Sequence, residues 1–473
     1  MKWSAGQAAA VTGGKVKAGD PGRTAKAIST DTRSIAMGDG FVALSGENFD
    51  GHNFVQAAAK KGAAWVMVEK GKAPAKTVGP TAVIEVDDTL DALGSLARAH
   101  RESFKLGVVA VTGSIGKSTT KEMIAAILSG KGRVLKNRGN LNNRIGLPHT
   151  LFRLNAGHDY AVLEMGCNMP GEIGELAKIA APDVGLITRV APVHLEGLGS
   201  VEGVARAKTE MLQEMGKDST FVLNLDDPLI KKHVKSFKGR LIGFSEKPDT
   251  AFKGESLHLV DVEKDVVGGR PRIMYKIQRK KDGKKTGKAV EGFLWTLSRH
   301  NAVNALAACT AARAFNVPLA EAVERVRGYK ALAGRGEVFR SRVGAFIMDD
   351  SYNSSPVAVA EALDTLAWWG GPVRKLAVLG DMLELGKEAD RYHREMGEKA
   401  ADTGLDYLVV KGNEAKKVAD AAVKAGLPRD RAIVARDNRE AAAILKKVVK
   451  KGDWVLVKGS RGMGLDKVSR ELR

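Results

Sequence analysis

The segment VTGSIGKSTTKE at 111–122 restricts this chain more than any other stretch of it. It follows the apolar run GVVAVT and leads into TTKEMIAAILSG, so a buried strand must turn through Gly113 and Gly116 into a helix. Such a turn aims several backbone N–H groups and the positive end of the helix at one point, which makes an anion cradle. Lys117 can reach the β- and γ-phosphates of a nucleotide, and Ser118 can ligate Mg²⁺. The strict Walker pattern needs glycine where Val111 stands, so this is the shorter T-G-x-x-G-K-[ST] form. A chance glycine turn before a helix is the plain alternative. It does not account for strand, glycines, lysine, hydroxyl and helix in this order. A nucleoside triphosphate site is expected.

Further apolar strands, YAVLEMG (160–166), VGLITRV (184–190) and TFVLNLD (220–226), alternate with helical stretches. That alternation predicts a parallel sheet covered on both faces. A length of 473 residues suggests about three domains. We expect an α/β chain divided at 1–104, 105–329 and 330–473. In the first part FVAL (41–44) and AAWVMVE (63–69) read as strands, Phe54–Lys61 and Leu90–Glu102 as helices, and GKAPAKTVGP (71–80) as a loop. The basic run RKKDGKKTGK (279–288), between IMYKI and AVEGFLW, reads as a hairpin tip. NAVNALAACTAARAF is a helix ending before Pro318. Beyond Gly334 the strands AFIMDD, KLAVLGDM, YLVVKG, AIVA and WVLVKGS alternate with helices again.

Lys plus Arg number 75 against 55 Asp plus Glu, a net charge of +20. The excess suits anionic partners, and it also serves as a plain solubility charge. A nucleic-acid-binding phosphate-loop ATPase is disfavoured. The lysines are spread along the chain, aromatic residues are 5%, and neither zinc spacing nor basic–aromatic interleaving occurs. Two cysteines, Cys167 and Cys309, cannot build a disulfide framework or a zinc site, which points to a reducing cytosol. No run approaches the ~18 apolar residues of a membrane span. The opening MKWSAGQAAAVTGG lacks the apolar core of a signal peptide. We therefore expect a cytoplasmic protein that is not membrane-embedded.

Three other residues draw attention. Glu164 ends the apolar strand AVL, where open parallel sheets place ligands, and a carboxylate between Leu163 and Met165 needs a partner or a metal. A salt-bridged strand-end glutamate is the alternative. His194 lies in the loop APVHLEGLGS, where a histidine is most often a surface residue. Lys208, within the helical EGVARAKTEM, reads by itself as a solvated lysine.

Taken together, TGSIGKSTTKE, LEMG, VHLEGLGSVEGVARAKTEM, RHNAVNALAA (299–308), AGRGEVF (333–339) and DDSYNSSP (349–356) resemble, in order, the motifs of the Mur ligase superfamily of ATP-dependent amide-forming enzymes. The resemblance covers essentially the whole chain. It implies a small N-terminal α/β domain for a UDP-linked precursor, a central phosphate-loop domain and a C-terminal Rossmann-like α/β domain. The stretch 29–69, with VLGDMLELG (378–386) and WVLVKGSRGMG (454–464), is most similar to members that add D-alanyl-D-alanine to UDP-N-acetylmuramoyl-tripeptide. The alternatives are the tripeptide-forming members, of whose D-N-P-R motif ARDNRE (435–440) is only a partial echo, and folylpolyglutamate synthases, which lack this type of first domain. A catalytically silent nucleotide-binding protein would not be expected to keep the whole motif set.

The resemblance further implies ATP and Mg²⁺ as cofactors, a monomer, and a role for each matching position. Gly113, Ser114, Ile115, Gly116, Lys117, Ser118 and Thr119 would hold the phosphates. Ser118, Glu164, His194 and a carbamylated Lys208 would hold metal, with Lys117, His194 and Lys208 serving catalysis. Asn301 and Arg335 would contact the nucleotide, Asp350 or its neighbour Asp349 the ribose, and Tyr352 and Asn353 the adenine. Thr30, Asp31, Thr32 and Arg33, with Asp50, Gly51 and His52, would bind the UDP end, although Thr30–Ser34 alone reads as a turn. The dipeptide would meet the third domain near Asp381–Gly386 and Lys458–Arg461. Three departures from the pattern occur: Ile115 for the usual polar residue, Ser118 for threonine, and Arg189-Val190-Ala191-Pro192-Val193 for a Thr-Asn-Ile-Gly type of segment.

Overall fold

A computed structural model describes residues 2–46, 49–74, 79–247 and 251–473. Among these, three main sheets follow one another along the chain. The first has five strands in the order Lys15–Ala18, Ala82–Val86, Trp65–Glu69, Gly40–Val42 and Ile28–Ser29, parallel except for the first pair. Trp65 and Met67 point into one apolar cluster and Val66 and Val68 into the other, as period-2 alternation requires of a sheet covered on both faces. Each such fully buried side chain contributes about 1.5–3 kcal/mol. The helix Thr89–Glu102 covers one face, capped by Asp88, whose carboxylate accepts from the Leu90 and Asp91 N–H groups. Part of the expected loop 71–80 lies outside the described residues.

The second sheet runs Val134–Lys136, Tyr160–Glu164, Gly107–Thr112, Val184–Ile187, Thr220–Asn224, Arg240–Ser245, Glu255–Val267 and Arg270–Lys281. Its members are parallel up to Glu255–Val267 and antiparallel beyond. The basic run turns at Asp282–Gly283 and returns as Val290–Leu294 beside Arg270–Lys281, the hairpin expected there. Unforeseen is the long strand Glu255–Val267 paired with Arg270–Lys281. Its alternate residues Val260 and Val266 are exposed, so its apolar pattern never repeats cleanly. VGLITRV is strand only to Ile187. Thr188 to Val193 leave the sheet as a loop.

The third sheet is Glu337–Arg340, Phe346–Asp350, Trp454–Lys458, Lys375–Gly380, Tyr407–Lys411 and Ala432–Ala435, parallel except for the first pair. Helices cover both faces, as expected of a Rossmann-like unit. One apolar cluster is continuous from the central sheet into the third through Trp369, Trp454 and Leu456. Trp369 stacks near Trp454, which stacks on Phe346, and the Trp369 indole N–H donates to the Leu297 carbonyl at 2.7 Å. Lys264, on the long strand, donates to the Trp368 carbonyl. The helix Pro356–Gly370 is thus pinned to the central part of the chain at its C-terminal end.

Candidate active site

The strand Gly107–Thr112 and the helix Lys117–Leu128 flank the phosphate loop. Gly113 has φ +144°, and a Cβ there would come within 1.9 Å of Thr188 Oγ1. Gly116 has φ +82°, and a Cβ there would meet Asn304 Oδ1 at 2.5 Å. Only glycine suits either place. The loop is held from outside by the segment after Ile187. Thr188 Oγ1 donates to the Ile115 carbonyl (2.5 Å), the Ser114 N–H donates to the Arg189 carbonyl (2.7 Å), and Ser114 Oγ and Ala191 exchange two bonds of 2.9 and 3.0 Å. The Lys117 ammonium folds over the loop and donates to the Gly113 carbonyl at 2.7 Å. Burial lowers its pKa to about 8. The Lys208 charge adds to this, and Glu164 opposes it.

Beneath the loop, Ser118 Oγ donates to Glu164 Oε2 at 2.6 Å, and Asn142 Nδ2 donates to Oε1 at 2.8 Å. Glu164 is 3% exposed and, among the described residues, has no cationic partner at hydrogen-bond distance, so the salt-bridge alternative does not describe it. Asn137 pairs with the Glu164 backbone in both directions, at 2.8 and 2.9 Å, and fixes the end of that strand. Lys208 is 1% exposed, not the solvated lysine its helix pattern suggests, and its ammonium donates to Cys167 Sγ at 3.8 Å. Burial pushes its pKa down, with Cys167 opposing. His194 is not a free surface residue either. It sits at φ +51°, and its Nδ1 pairs with the Glu384 carboxylate of the third part of the chain. Burial lowers its pKa, Glu384 raises it, and the charges of Lys117 and Lys208 lower it further. Lys208, Glu164, Cys167 and Arg335 lie near enough for their charges to act on Lys117, and Lys117 and Lys208 near enough to act on His194.

Asn301 donates to Thr296 Oγ1 (2.8 Å) and accepts from Asn304, which in turn accepts from Thr120 in the phosphate-loop helix. Arg335 lies over the Tyr352 ring at 4.0 Å, and Arg461 approaches the same ring at 5.2 Å. Of the two aspartates, Asp349 is buried and takes the Ser351 N–H and hydroxyl. Asp350 is more open and pairs with Lys458 at 2.5 Å. Lys458 also donates to the Asn353 carbonyl.

The residues expected to meet the UDP end lie apart, on the first sheet. Asp31 accepts from the N–H and guanidinium of Arg33, which hold its pKa at about 2. The Thr32 carbonyl accepts from Lys61, and Thr30 Oγ1 bonds His149 Nε2, on the helix Gly146–Leu151, at 3.0 Å. His52 Nε2 accepts from the Glu69 N–H, so its Nδ1 carries the proton and donates to Asp50 at 2.6 Å. The sequence reading missed Asn137, Asn142, Thr188, Asn304 and Glu384. For the first two, a signal existed in the asparagine-rich stretch NRGNLNN at 137–143. Among the described residues, no three His, Cys, Asp or Glu side chains are grouped to hold a metal, and no helix is long and apolar enough to cross a membrane.

A parallel sheet running into a lysine-bearing phosphate loop, with a carboxylate and a second buried lysine beneath it, defines an ATP-using phosphate-loop enzyme. Three family descriptions match the chain in succession: "Mur ligase family, catalytic domain" at 24–101, "Mur ligase middle domain" at 111–312 and "Mur ligase, glutamate ligase domain" at 334–461. The UDP-N-acetylmuramoyl-tripeptide–D-alanyl-D-alanine ligase of Bacillus subtilis is 34% identical over 94% of this chain and 92% of its own. A crystal structure of MurF from Acinetobacter baumannii superposes with a TM-score of 0.87 at 29% identity, covering 100% of this chain and 99% of that one. MurF ligase from Thermotoga maritima in complex with ADP gives 0.81 at 29% identity, over 94% and 96%. The chain belongs to the Mur ligase family, whose members are ATP-dependent amide ligases.

Proposed function

We propose that the chain adds D-alanyl-D-alanine to UDP-N-acetylmuramoyl-tripeptide, releasing ADP and phosphate, as the last cytoplasmic step in making the peptidoglycan precursor. The observation that carries this reading is the 34% identity, sustained over 94% of the chain, to a relative bearing that name. A carboxylate does not react with an amine at neutral pH, because its oxygen is too poor a leaving group. Transfer of the γ-phosphoryl group gives an acyl phosphate. The dipeptide amine attacks its carbonyl, the tetrahedral adduct forms, and phosphate leaves with the former carboxylate oxygen.

The chain's part is to position the reactants and neutralise charge. The 113–119 amides and Lys117 hold the phosphates, Arg335 meets them from the third sheet, Asn301 supports the nucleotide, Asp350 takes the ribose, and Tyr352 with Asn353 flanks the base. Thr30–Arg33, Asp50 and His52 receive the uridine end. Ser118 Oγ and the Glu164 carboxylate are hard oxygen donors 2.6 Å apart, the donor chemistry Mg²⁺ takes. They would hold one such ion, His194 would help to hold a second, and the ions would neutralise charge on the transferring group. Lys208 joins such a set only as its carbamate. A buried amine with a lowered pKa is suited to that adduct, because the neutral form reacts with CO₂. Lys208→Arg, which keeps the charge but cannot form the adduct, is expected to be inactive, and an active variant would remove Lys208 from the metal set. We read the chain as a cytoplasmic monomer.

The test is phosphate release from ATP with UDP-N-acetylmuramoyl-tripeptide, its third residue either diaminopimelate or lysine, plus D-alanyl-D-alanine. Turnover is expected only with the dipeptide present. Turnover instead with UDP-N-acetylmuramoyl-dipeptide plus diaminopimelate or lysine, or with a folate plus glutamate, would replace this reading by one of its alternatives.

A further inference from the structure

The stretch Arg189–Val193 departs from the family pattern in sequence, and the segment Thr188–His194 that contains it occupies a singular place in the fold. On its inner side it is bonded to the phosphate loop four times: Thr188 Oγ1 to the Ile115 carbonyl, the Arg189 carbonyl to the Ser114 N–H, and Ala191 twice to Ser114 Oγ. It is also anchored below, since the Val190 N–H donates to Asp227 at 2.8 Å and the Thr188 carbonyl accepts from Asn224 at 2.8 Å. On its outer side it reaches the third part of the chain. The Arg189 guanidinium donates to Glu361, on the helix Pro356–Gly370, at 2.8 Å, and His194 pairs with Glu384. Two residues beyond His194, the Glu196 N–H donates to the Glu384 carbonyl at 3.3 Å, and both His194 and Glu384 hold left-handed backbones, at φ +51° and +64°. A non-glycine residue keeps such a conformation only when its surroundings impose it.

We propose that Arg189 is a positioning residue: its ion pair with Glu361 transmits docking of the third domain to the phosphate loop through the Arg189 carbonyl and the Ser114 amide. The proposal rests on the ATP-dependent reading of the loop given above. The physical basis is that one residue carries both contacts. Its side chain senses the third domain, and its own backbone oxygen, a few bonds away, holds the loop. His300 lies 3.4 Å from the same Glu361 oxygen, so the acceptor is fixed from a second direction. Burial raises the Glu361 pKa to about 7, against the pull of Arg189 and Lys458. The Arg189 side chain is about half exposed, so the pair adds little affinity, and what it supplies is the geometry it sets. Arginine suits this task through its rigid, directional fork of donors.

The test is a double-mutant cycle on the full chain, Arg189→Ala, Glu361→Ala and both together, at about pH 8.5 so that Glu361 is ionised. Two quantities are read: kcat for ligation, and amide hydrogen exchange of residues 113–118 with a non-hydrolysable ATP analogue and Mg²⁺. Each single variant is expected to lose about fivefold in kcat and to exchange the Ser114 amide about fivefold faster, and the double variant to be no worse than Arg189→Ala. Unchanged Ser114 exchange in Arg189→Ala, or losses that multiply in the double variant, would overturn the proposal. The exchange measurement needs nucleotide alone. A wrong assignment of the peptide substrates would silence the ligation assay and leave the exchange result standing.

Discussion

The phosphate loop and the turns Thr30–Arg33 and Asp50–His52 are both polar turns beside strand ends, yet they spend their side chains differently. In the phosphate loop the backbone is left to meet the ligand, and side chains from elsewhere, Thr188 and Asn304 among them, hold the shape. In the first region the side chains close on one another: Asp31 on Arg33, Asp50 on His52, His52 on the Glu69 amide. A loop braced from outside is rigid before anything binds, which is what transfer of a phosphoryl group demands. A region knitted within itself is held chiefly by its own side chains.

That contrast can be broken most sharply at Lys117. Lys117→Ala is expected to lower kcat about 100-fold or more with the far-ultraviolet circular dichroism unchanged, and near-normal turnover would remove the loop from the chemistry. Gly113→Ala comes next. The new methyl group would press on Thr188 at a left-handed backbone position, costing about 2 kcal/mol or more of stability, read as a lower Tm, with roughly a tenfold loss of kcat. A Gly113→Ala enzyme as stable and active as the parent would show that the outer bracing is dispensable.

The smallest effect belongs to Asp50. Its pKa is depressed from 3.8 to about 2, chiefly by the His52 N–H and then by the His52 ring, and Asp31 is likewise held at about 2 by Arg33. The sign follows from linkage. A carboxylate lowered in the folded state contributes stability fully present above its unfolded value of 3.8, and loses it as pH falls through about 2. Asp50→Asn should therefore flatten the acid limb of the stability profile between about pH 4 and 2, while kcat at neutral pH changes less than about twofold. A loss of kcat comparable to that of Lys117→Ala would erase the distinction between the two regions.

Much of the fold was legible because local pattern carries it. Apolar runs ending in a glycine turn or an acidic residue located the strands Gly107–Thr112 and Tyr160–Glu164, and the ends of those strands are where the site formed. Lys117, Ser118 and Glu164 followed from that alone. Lys208 did not. Its helix exposes Arg206 and buries Lys208 two residues on, and nothing in the local spacing says that a lysine faces the sheet. Thr188, Asn304 and Glu384 were illegible for another reason: each acts on a group 20 or more residues away, and only the crossing of separate elements brings them together. The strand Glu255–Val267 stayed hidden because its outer half stands clear of the core, so polar and apolar residues are mixed along it.

The chain has six tryptophans, and Trp369 sits where the helix Pro356–Gly370 meets the central sheet, its indole N–H given to the Leu297 carbonyl. It also lies within stacking range of Trp454, so its excited state is coupled to a neighbouring ring in the third sheet. If the two parts of the molecule separate, that N–H exchanges a protein carbonyl for water, and the emission of Trp369 moves to longer wavelength. The joint thereby carries its own fluorophore, and the rate at which these domains meet can be followed by light alone in the unlabelled protein.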